Sequence, residues 1–323
     1  MDRPSTLTQP VHRITSAVRT FATTFVPTAD RWCVGLSGGA DSLALVAAAA
    51  GVLPTTALIV DHRLQPGSAD VADEARRSAL ALGCVDAKVL AVEVGTAGGL
   101  ESAARTARYA ALAEARAGAP VLIGHTLDDQ AETVLLGLGR GSGPRSISGI
   151  RPYDPPWGRP LLGIRRAETE AACAARGLTA WQDPHNTDPR YTRVRLRTEV
   201  LPLLEEVLGG GVAEALARTA AALQEDGDVL DALAADALVR PGVDHLDIAV
   251  LKPLPVAIRR RVIRAWLLAA GAIGLTDTQL RAIDALITDW RGQGGVAVGA
   301  GLVRQRMFAE RKQGALTLRI EFV

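Results

Sequence analysis

Cysteine is scarce and unclustered in this chain. The three residues of this type, Cys33, Cys84 and Cys173, stand far apart in apolar surroundings without C-x-x-C spacing. That excludes a disulfide framework and a zinc site and leaves them as small buried hydrophobes. A hydrophobic run of membrane length is also missing, since the longest, Leu43 to Pro54, falls well short of the roughly 20 residues a bilayer requires. No charged-then-apolar leader opens the chain, so a cytoplasmic protein without membrane contact is expected. There is no internal repeat. Nor is there an excess of charge of either sign: Lys and Arg number 36, Asp and Glu 35, for a net charge of +1. Contact with nucleic acid therefore has to come from local basic faces. Three clusters qualify: Arg190, Arg193, Arg195 and Arg197; Arg259, Arg260, Arg261 and Arg264; and Arg304, Arg306, Arg311 and Lys312. An arginine-rich composition would also put arginine on any solvated helix face, so both readings stay open.

What is present is a chain of 323 residues, 48% hydrophobic and 22% charged, ordinary for a globular protein with room for two domains. Short β-like runs at Trp32–Leu36, Ala57–Val60, Val89–Val94 and Val121–Ile123 alternate with helical patterns at Leu43–Ala50, Val71–Leu82 and Leu100–Ala117. This rhythm predicts a parallel sheet covered by helices on both faces. Ligands in such sheets bind beyond the carboxyl ends of the strands. Three polar segments then gather at one edge: Ser37-Gly38-Gly39-Ala40-Asp41-Ser42, Asp61-His62 and Gly124-His125.

The first of these segments is a phosphate cradle between a strand and a helix. Gly38 and Gly39 allow backbone angles that a β-carbon forbids, and the following helix aims its positive end at the same spot. The common nucleoside-triphosphatase cradle needs a lysine before its last Ser or Thr, and Asp41 stands there instead. The loop resembles those of enzymes that split ATP between its α- and β-phosphates. A tight turn without a ligand is the alternative.

His125-Thr126-Leu127-Asp128-Asp129-Gln130-Ala131-Glu132 follows the fourth strand and opens a helix. Asp128 and Glu132, four apart, share a face, and Asp129 is placed to cap the first turn. Carboxylates beside a triphosphate call for Mg²⁺ between them, with Asp41 and Asp128 the candidate ligands. On the preceding helix Glu101, Arg105 and Arg108 line one face next to Tyr109. Taken alone, that spacing also fits a solvated face with one ion pair worth about 0.3–0.5 kcal/mol.

These residues together resemble the tRNA(Ile)-lysidine synthetases. The resemblance rests on Ser37 to Ser42, Val60-Asp-His-Arg-Leu-Gln65, Glu101 with Ala104-Arg105 and Arg108-Tyr109, and Gly124 through Thr133. It continues through Arg140-Gly-Ser-Gly143, Arg159-Pro-Leu-Leu162 and Asp183-x-x-Asn186-x-Asp188 with Tyr191 and Arg193. It covers the first two-thirds of the chain in the family's order. Val194 stands where the family usually has Asn, and Ser146 where it usually has Gly.

The resemblance implies an adenine-nucleotide α-hydrolase-like (Rossmann-like) α/β domain over 1–205 and a smaller α+β domain over 206–323 for tRNA recognition, as in the shorter family members. It implies a ligase that uses ATP and Mg²⁺ to join free L-lysine to C2 of the wobble cytidine in the CAU anticodon of tRNA(Ile). Codon reading then changes from AUG to AUA. The cofactor-binding set would be Ser37, Gly38, Gly39, Ala40, Asp41, Ser42, His62, Gly124 and Arg140. The catalytic set would be Asp41, Arg105, His125, Asp128, Asp129 and Glu132, and Arg108, Arg193, Arg195 and Arg197 would grip the tRNA. A homodimer is a candidate assembly on which the sequence is silent. The rival readings are a tRNA thiolase of the same superfamily, for which these three cysteines provide no paired set, and a nucleotide sensor without turnover.

Overall fold

A computed structural model of the chain describes residues 8–65, 67–95, 99–141, 143–183, 187–238, 244–300 and 305–322. The expectations placed on Ser142, Asn186, Arg304 and the side chain of Glu101 lie outside the described residues. The chain divides into two compact units, Met1–Leu136 with Gly149–Thr219, and Gly137–Ser148 with Ala220–Val323. No described helix is long and apolar enough to cross a membrane.

The first unit contains α1 (Thr8–Phe25), β1 (Trp32–Gly35), α2 (Ala40–Ala49), β2 (Thr55–Asp61), α3 (Ser68–Ala81), β3 (Asp86–Ala91), α4 (Leu100–Ala115), β4 (Val121–Ile123) and the start of α5 (Leu127–Arg140). The order of its six-stranded sheet is β3-β2-β1-β4, followed by two short strands, Trp157–Gly158 and Tyr153–Asp154. All pairings are parallel except that between the last two. Val34 lies between Ala57 and Leu122 in register. β1 is buried on both faces, with Trp32, Cys33 and Val34 at 5% exposure or less, as a central parallel strand requires.

The Ala/Leu/Val run Leu43–Ala49 has no polar face and makes α2 a buried helix. It packs against α1 and α6 (Arg166–Ala175). Gly158 lets α1 lie close against the sheet, because a β-carbon there would sit 2.4 Å from the Phe21 ring. Because β1 lies between β2 and β4, the chain leaves β1 towards one side of the sheet and later returns to the other. The crevice above β1 and β4 is thus the switch point where such sheets bind ligands.

Beyond α6 come a short helix, Thr192–Arg195, a π-helical turn, Leu196–Val200, and a further helix, Leu201–Leu208. Leu201 and Ala213 pack with Leu127 and Ala131 under the beginning of α5.

The second unit has an antiparallel sheet of five strands, His245–Asp247, Ala315–Phe322, Gln305–Lys312, Val296–Ala300 and Ala272–Ile273 in spatial order. Its core includes Ile258, Val262, Trp266, Ile283, Leu286 and Leu316. The helix Asp277–Thr288 opens with a reciprocal cap in which Gln279 N–H donates to Thr276 Oγ1 at 3.2 Å and Thr276 N–H to Gln279 Oε1 at 2.9 Å. The Arg259 cluster does not form one solvated face. Arg259 is buried and its Nε donates to Asp284 Oδ1 at 2.5 Å, while Arg260 Nε reaches Asp284 Oδ2 at 3.1 Å.

Candidate active site

The loop after β1 turns on Gly38, whose φ of 85° is open to glycine and strained for other residues. Its carbonyl accepts from the Trp181 N–H at 3.0 Å. Ser42 Oγ donates to the Gly39 carbonyl at 2.9 Å and accepts from the Ser37 N–H at 3.2 Å, closing the loop over the first turn of α2. Gly39 caps α2 without a side-chain bond, so amide donors of the first turn remain available to an anion. Gly124, at the end of β4, is held against the same turn. A β-carbon there would lie 3.1 Å from the Asp41 carbonyl carbon and oxygen and 3.2 Å from Ser42 N.

Asp41 therefore faces the start of α5. Asp129 is the third residue of that helix, and its Oδ2 accepts from both the N–H and the hydroxyl of Thr126 at 2.8 Å. Glu132 is fully buried. The Arg166 guanidinium links these acids, with Nε 3.3 Å from Asp41 Oδ2, Nη2 2.9 Å from Asp129 Oδ1 and Nη1 3.7 Å from Glu132 Oε1. Its peptide N–H donates to Asp128 Oδ2 at 2.7 Å. Thr169, also fully buried, donates its hydroxyl to Asp41 Oδ1. Arg165 lies 3.5 Å from Asp128 Oδ1. Arg197 Nε donates to Glu132 Oε1 at 2.8 Å, and Arg193 approaches Oε2 at 3.5 Å.

Burial raises the Asp41 carboxyl above its ordinary range, with Arg166 opposing the rise. Burial acts the same way on Asp129, but Arg166 and the Thr126 N–H outweigh it and hold that carboxyl below its ordinary range. The guanidinium of Arg166 is more firmly protonated than usual; burial opposes this, and Asp129, Asp41 and Glu132 overcome the opposition.

A second, cationic cluster borders the same strand ends. His125 shares its electrostatic surroundings with Asp129, Arg159, Arg108 and Arg105, and burial lowers its pKa to about 3, which keeps the imidazole neutral. Burial, then Arg108, lowers that of His62. Arg105 and Arg108 stack on Tyr109, 4.9 and 5.3 Å from the ring centroid, and Tyr109 packs edge-on to Trp157 at 4.7 Å. Four buried polar atoms here, His62 Nδ1, Arg108 Nε, His125 Nδ1 and Arg159 Nε, have no partner. Buried polar atoms of this kind call for a partner that the protein itself does not supply, a ligand or ordered water.

Sequence patterns match a PP-loop domain over residues 10–204 and a TilS substrate binding domain over residues 246–316. The tRNA(Ile)-lysidine synthase of Mycobacterium bovis is 65% identical, with 99% of each chain covered. That of Mycobacterium leprae is 62% identical over 95% of this chain and 97% of its own. The chain belongs to the tRNA(Ile)-lysidine synthase family.

Among solved structures, a U34-tRNA thiolase from Methanococcus maripaludis with a [4Fe-4S] cluster is 19% identical. It superposes with a TM-score of 0.53 over 67% of this chain and 80% of that one, a likeness of fold alone. Membership in the tRNA(Ile)-lysidine synthase family places the chain among ATP-dependent ligases of the PP-loop type and sets the thiolase and sensor readings aside.

The structure brings Ser37 through Ser42, Gly124, Asp128, Asp129 and Glu132 to one crevice, with Arg193 and Arg197 at its Glu132 side. It groups His62, Arg105, Arg108 and His125 beside them. Arg195 points elsewhere, paired with Glu199 at 2.9 Å. Arg140, the exposed last residue of α5, belongs to the second unit. Sequence reasoning missed Thr126, Arg159, Arg165, Arg166 and Thr169 as site residues. The one available signal was the Arg165-Arg166 pair, separated only by Gly163 and Ile164 from the Arg159-Pro-Leu-Leu162 segment.

Proposed function

We propose that this chain adenylates the C2 oxygen of the wobble cytidine in the CAU anticodon of tRNA(Ile), releasing pyrophosphate, and that the ε-amino group of free L-lysine then attacks C2 and expels AMP. The product, lysidine, reads AUA in place of AUG. The observation that carries this reading is the convergence of four carboxylates, Asp41, Asp128, Asp129 and Glu132, on a glycine-turned anion cradle at the switch point of the sheet.

Each half of the reaction has its residues. The open amides at Gly39 and the first turn of α2 hold the diphosphate as charge develops on it. His62 lies at the end of β2, where the adenine base would pack. Mg²⁺ would supply charge neutralisation at the phosphates. No set of three described His, Cys, Asp or Glu side chains could hold a metal; Asp41 and Asp128 would be the ion's protein ligands.

The lysine ammonium, with an ordinary pKa of about 10.4, must lose a proton before it attacks. Asp128 and Glu132 lie on the face of α5 suited to holding it and accepting that proton. The unpartnered nitrogens of Arg108, His125 and Arg159, with Arg105 alongside, suit the polar edge and phosphate of an inserted nucleotide. Arg193, Arg195 and Arg197 are the further candidates for tRNA phosphates. A cytoplasmic location and a homodimer complete the reading, the latter measurable by sedimentation.

Incubation with ATP, labelled lysine and CAU-anticodon tRNA tests the proposal. Label is expected in the RNA, and Asp128→Asn should slow its incorporation by about 10²-fold or more. Tight ATP binding with no lysine-dependent pyrophosphate release would refute it.

A further inference from the structure

The acids of the crevice already have their full complement of countercharge. Asp41, Asp128, Asp129 and Glu132 face the guanidinium groups of Arg165, Arg166, Arg193 and Arg197, four charges against four among the described residues, and the more exposed Glu214 also lies 3.8 Å from Arg165. Adding a substrate ammonium to a neutral, half-buried cluster would leave an uncompensated positive charge, which is costly away from water. The carboxylate oxygens that an amine would contact are already taken by guanidinium groups, so an amine reaches them by displacing a resident cation.

The geometry points to Arg166 as that cation. Its three nitrogens each touch a different carboxylate, at 3.3, 2.9 and 3.7 Å, so it makes none of the paired two-pronged contacts that fix an arginine firmly on one acid. Among the described residues it alone bridges Asp41, beside the nucleotide loop, to Asp129 and Glu132 on α5.

Each acid also keeps a partner when the guanidinium leaves. Asp41 keeps the Thr169 hydroxyl, Asp129 keeps the Thr126 N–H and hydroxyl, and Glu132 keeps Arg197. Asp128 keeps the peptide N–H of residue 166 itself, which any side chain there preserves.

We propose that Arg166 is a resident counter-ion. Its guanidinium fills the seat of the substrate's ammonium, and amine binding is an exchange of one cation for another. Arg166 is thus a positioning residue that sets the affinity for lysine; it cannot itself accept the amine's proton. This rests on the ligase reading above.

The test compares the KM for lysine in lysidine formation for wild type, Arg166→Gln and Arg166→Lys, with thermal melting to establish folding. Removal of a competing cation should lower the lysine KM of Arg166→Gln at least tenfold without lowering that for ATP. Arg166→Lys, whose compact charge reaches fewer acids at once, should lower it less. A lysine KM that is unchanged or raised in Arg166→Gln overturns the inference, since a structural or substrate-gripping arginine would give that result. If Arg166→Gln does not fold, Arg166→Lys carries the comparison. Unfolding of both would show that the acids do not keep their arrangement without the guanidinium, and would equally overturn it. Failure of the wild-type chain to place lysine on tRNA would sink the ligase reading instead.

Discussion

Gly124→Ala should damage nucleotide use through a single methyl group. The added carbon would stand 3.1 Å from the carbonyl carbon and oxygen of Asp41 and 3.2 Å from Ser42 N. Relaxed carbon contacts lie at about 3.5–4.0 Å, so the two segments must separate by roughly 0.5 Å. The obstacles are all backbone of the first turn of a buried helix, the methyl group would stand on the end of a central strand, and neither segment can rotate aside.

Overpacking of this kind costs about 1–3 kcal/mol, or a melting temperature lower by about 2–12 °C for a unit of this size. Because misplacement by about 1 Å can cost 10²-fold in rate, half that distance predicts a loss of about tenfold in kcat/KM for ATP. The assay is lysine-dependent pyrophosphate release across a range of ATP concentrations, beside a calorimetric melt. Gly139→Ala serves as the control. No heavy atom lies within 4 Å of a β-carbon there, and replacing this helical glycine should add about 0.5–1 kcal/mol of stability. A Gly124→Ala protein with wild-type melting and kcat/KM within twofold would show that the strand end does not brace the loop.

Three other outcomes follow from the charges. His125, neutral with a pKa near 3 when folded, takes up a proton on unfolding below its ordinary value of 6.5. Stability should therefore fall as pH drops from about 6.5 towards 3, by at most about 1.4 kcal/mol per pH unit from this group. His125→Gln should flatten that slope in urea titrations, and an unchanged slope would count against the assignment. Asp284→Ala strands the buried Arg259 guanidinium and should destabilise the second unit by about 3–5 kcal/mol; a loss under about 1 kcal/mol in chemical unfolding would contradict that. Arg195→Ala, at an exposed pair with Glu199, should reduce the salt dependence of tRNA binding by about one unit of slope while leaving ATP affinity alone, as filter binding at several salt concentrations can show.

The parallel sheet was legible because its strands are short, apolar and separated by helices of regular period. β1 and β4 fall within a residue of where the pattern puts them. β3 was placed about three residues late, at Val89–Val94 where the strand is Asp86–Ala91. It is an edge strand whose Asp86 and Lys88 give no alternating apolar signal. The helix Thr8–Phe25 went unread altogether, although Ile14, Val18 and Phe21 bury one face of it.

In the crevice, Gly38, Asp41 and the acids of α5 announced themselves by type and spacing. Arg166 and Thr169 did not, because their partner Asp41 lies more than 120 residues earlier and no local pattern encodes such a pairing. The same limit hid the burial of Arg259, which looks like a solvated residue until Asp284 is brought beside it. The terminal strand shows the reverse. Leu316, Leu318, Ile320 and Phe322 alternate with polar neighbours as a strand should, yet the alternation does not report burial: Leu316 is 0% exposed and Phe322 82%.

The guanidinium groups that quiet Asp41, Asp129 and Glu132 all come from residues 165–197, well after the acids in the order of synthesis. A ribosome adds about 5–20 residues per second, so for several seconds each newborn chain carries the nucleotide loop and its cluster of acids with nothing to neutralise them. Folding of this domain from its amino end should therefore pause with α2 and α5 apart. The last arginines to emerge would then act as the latch that lets them close, and a ribosome-bound chain halted before residue 165 should remain open to protease at Gly124 while one halted well past residue 197 should resist.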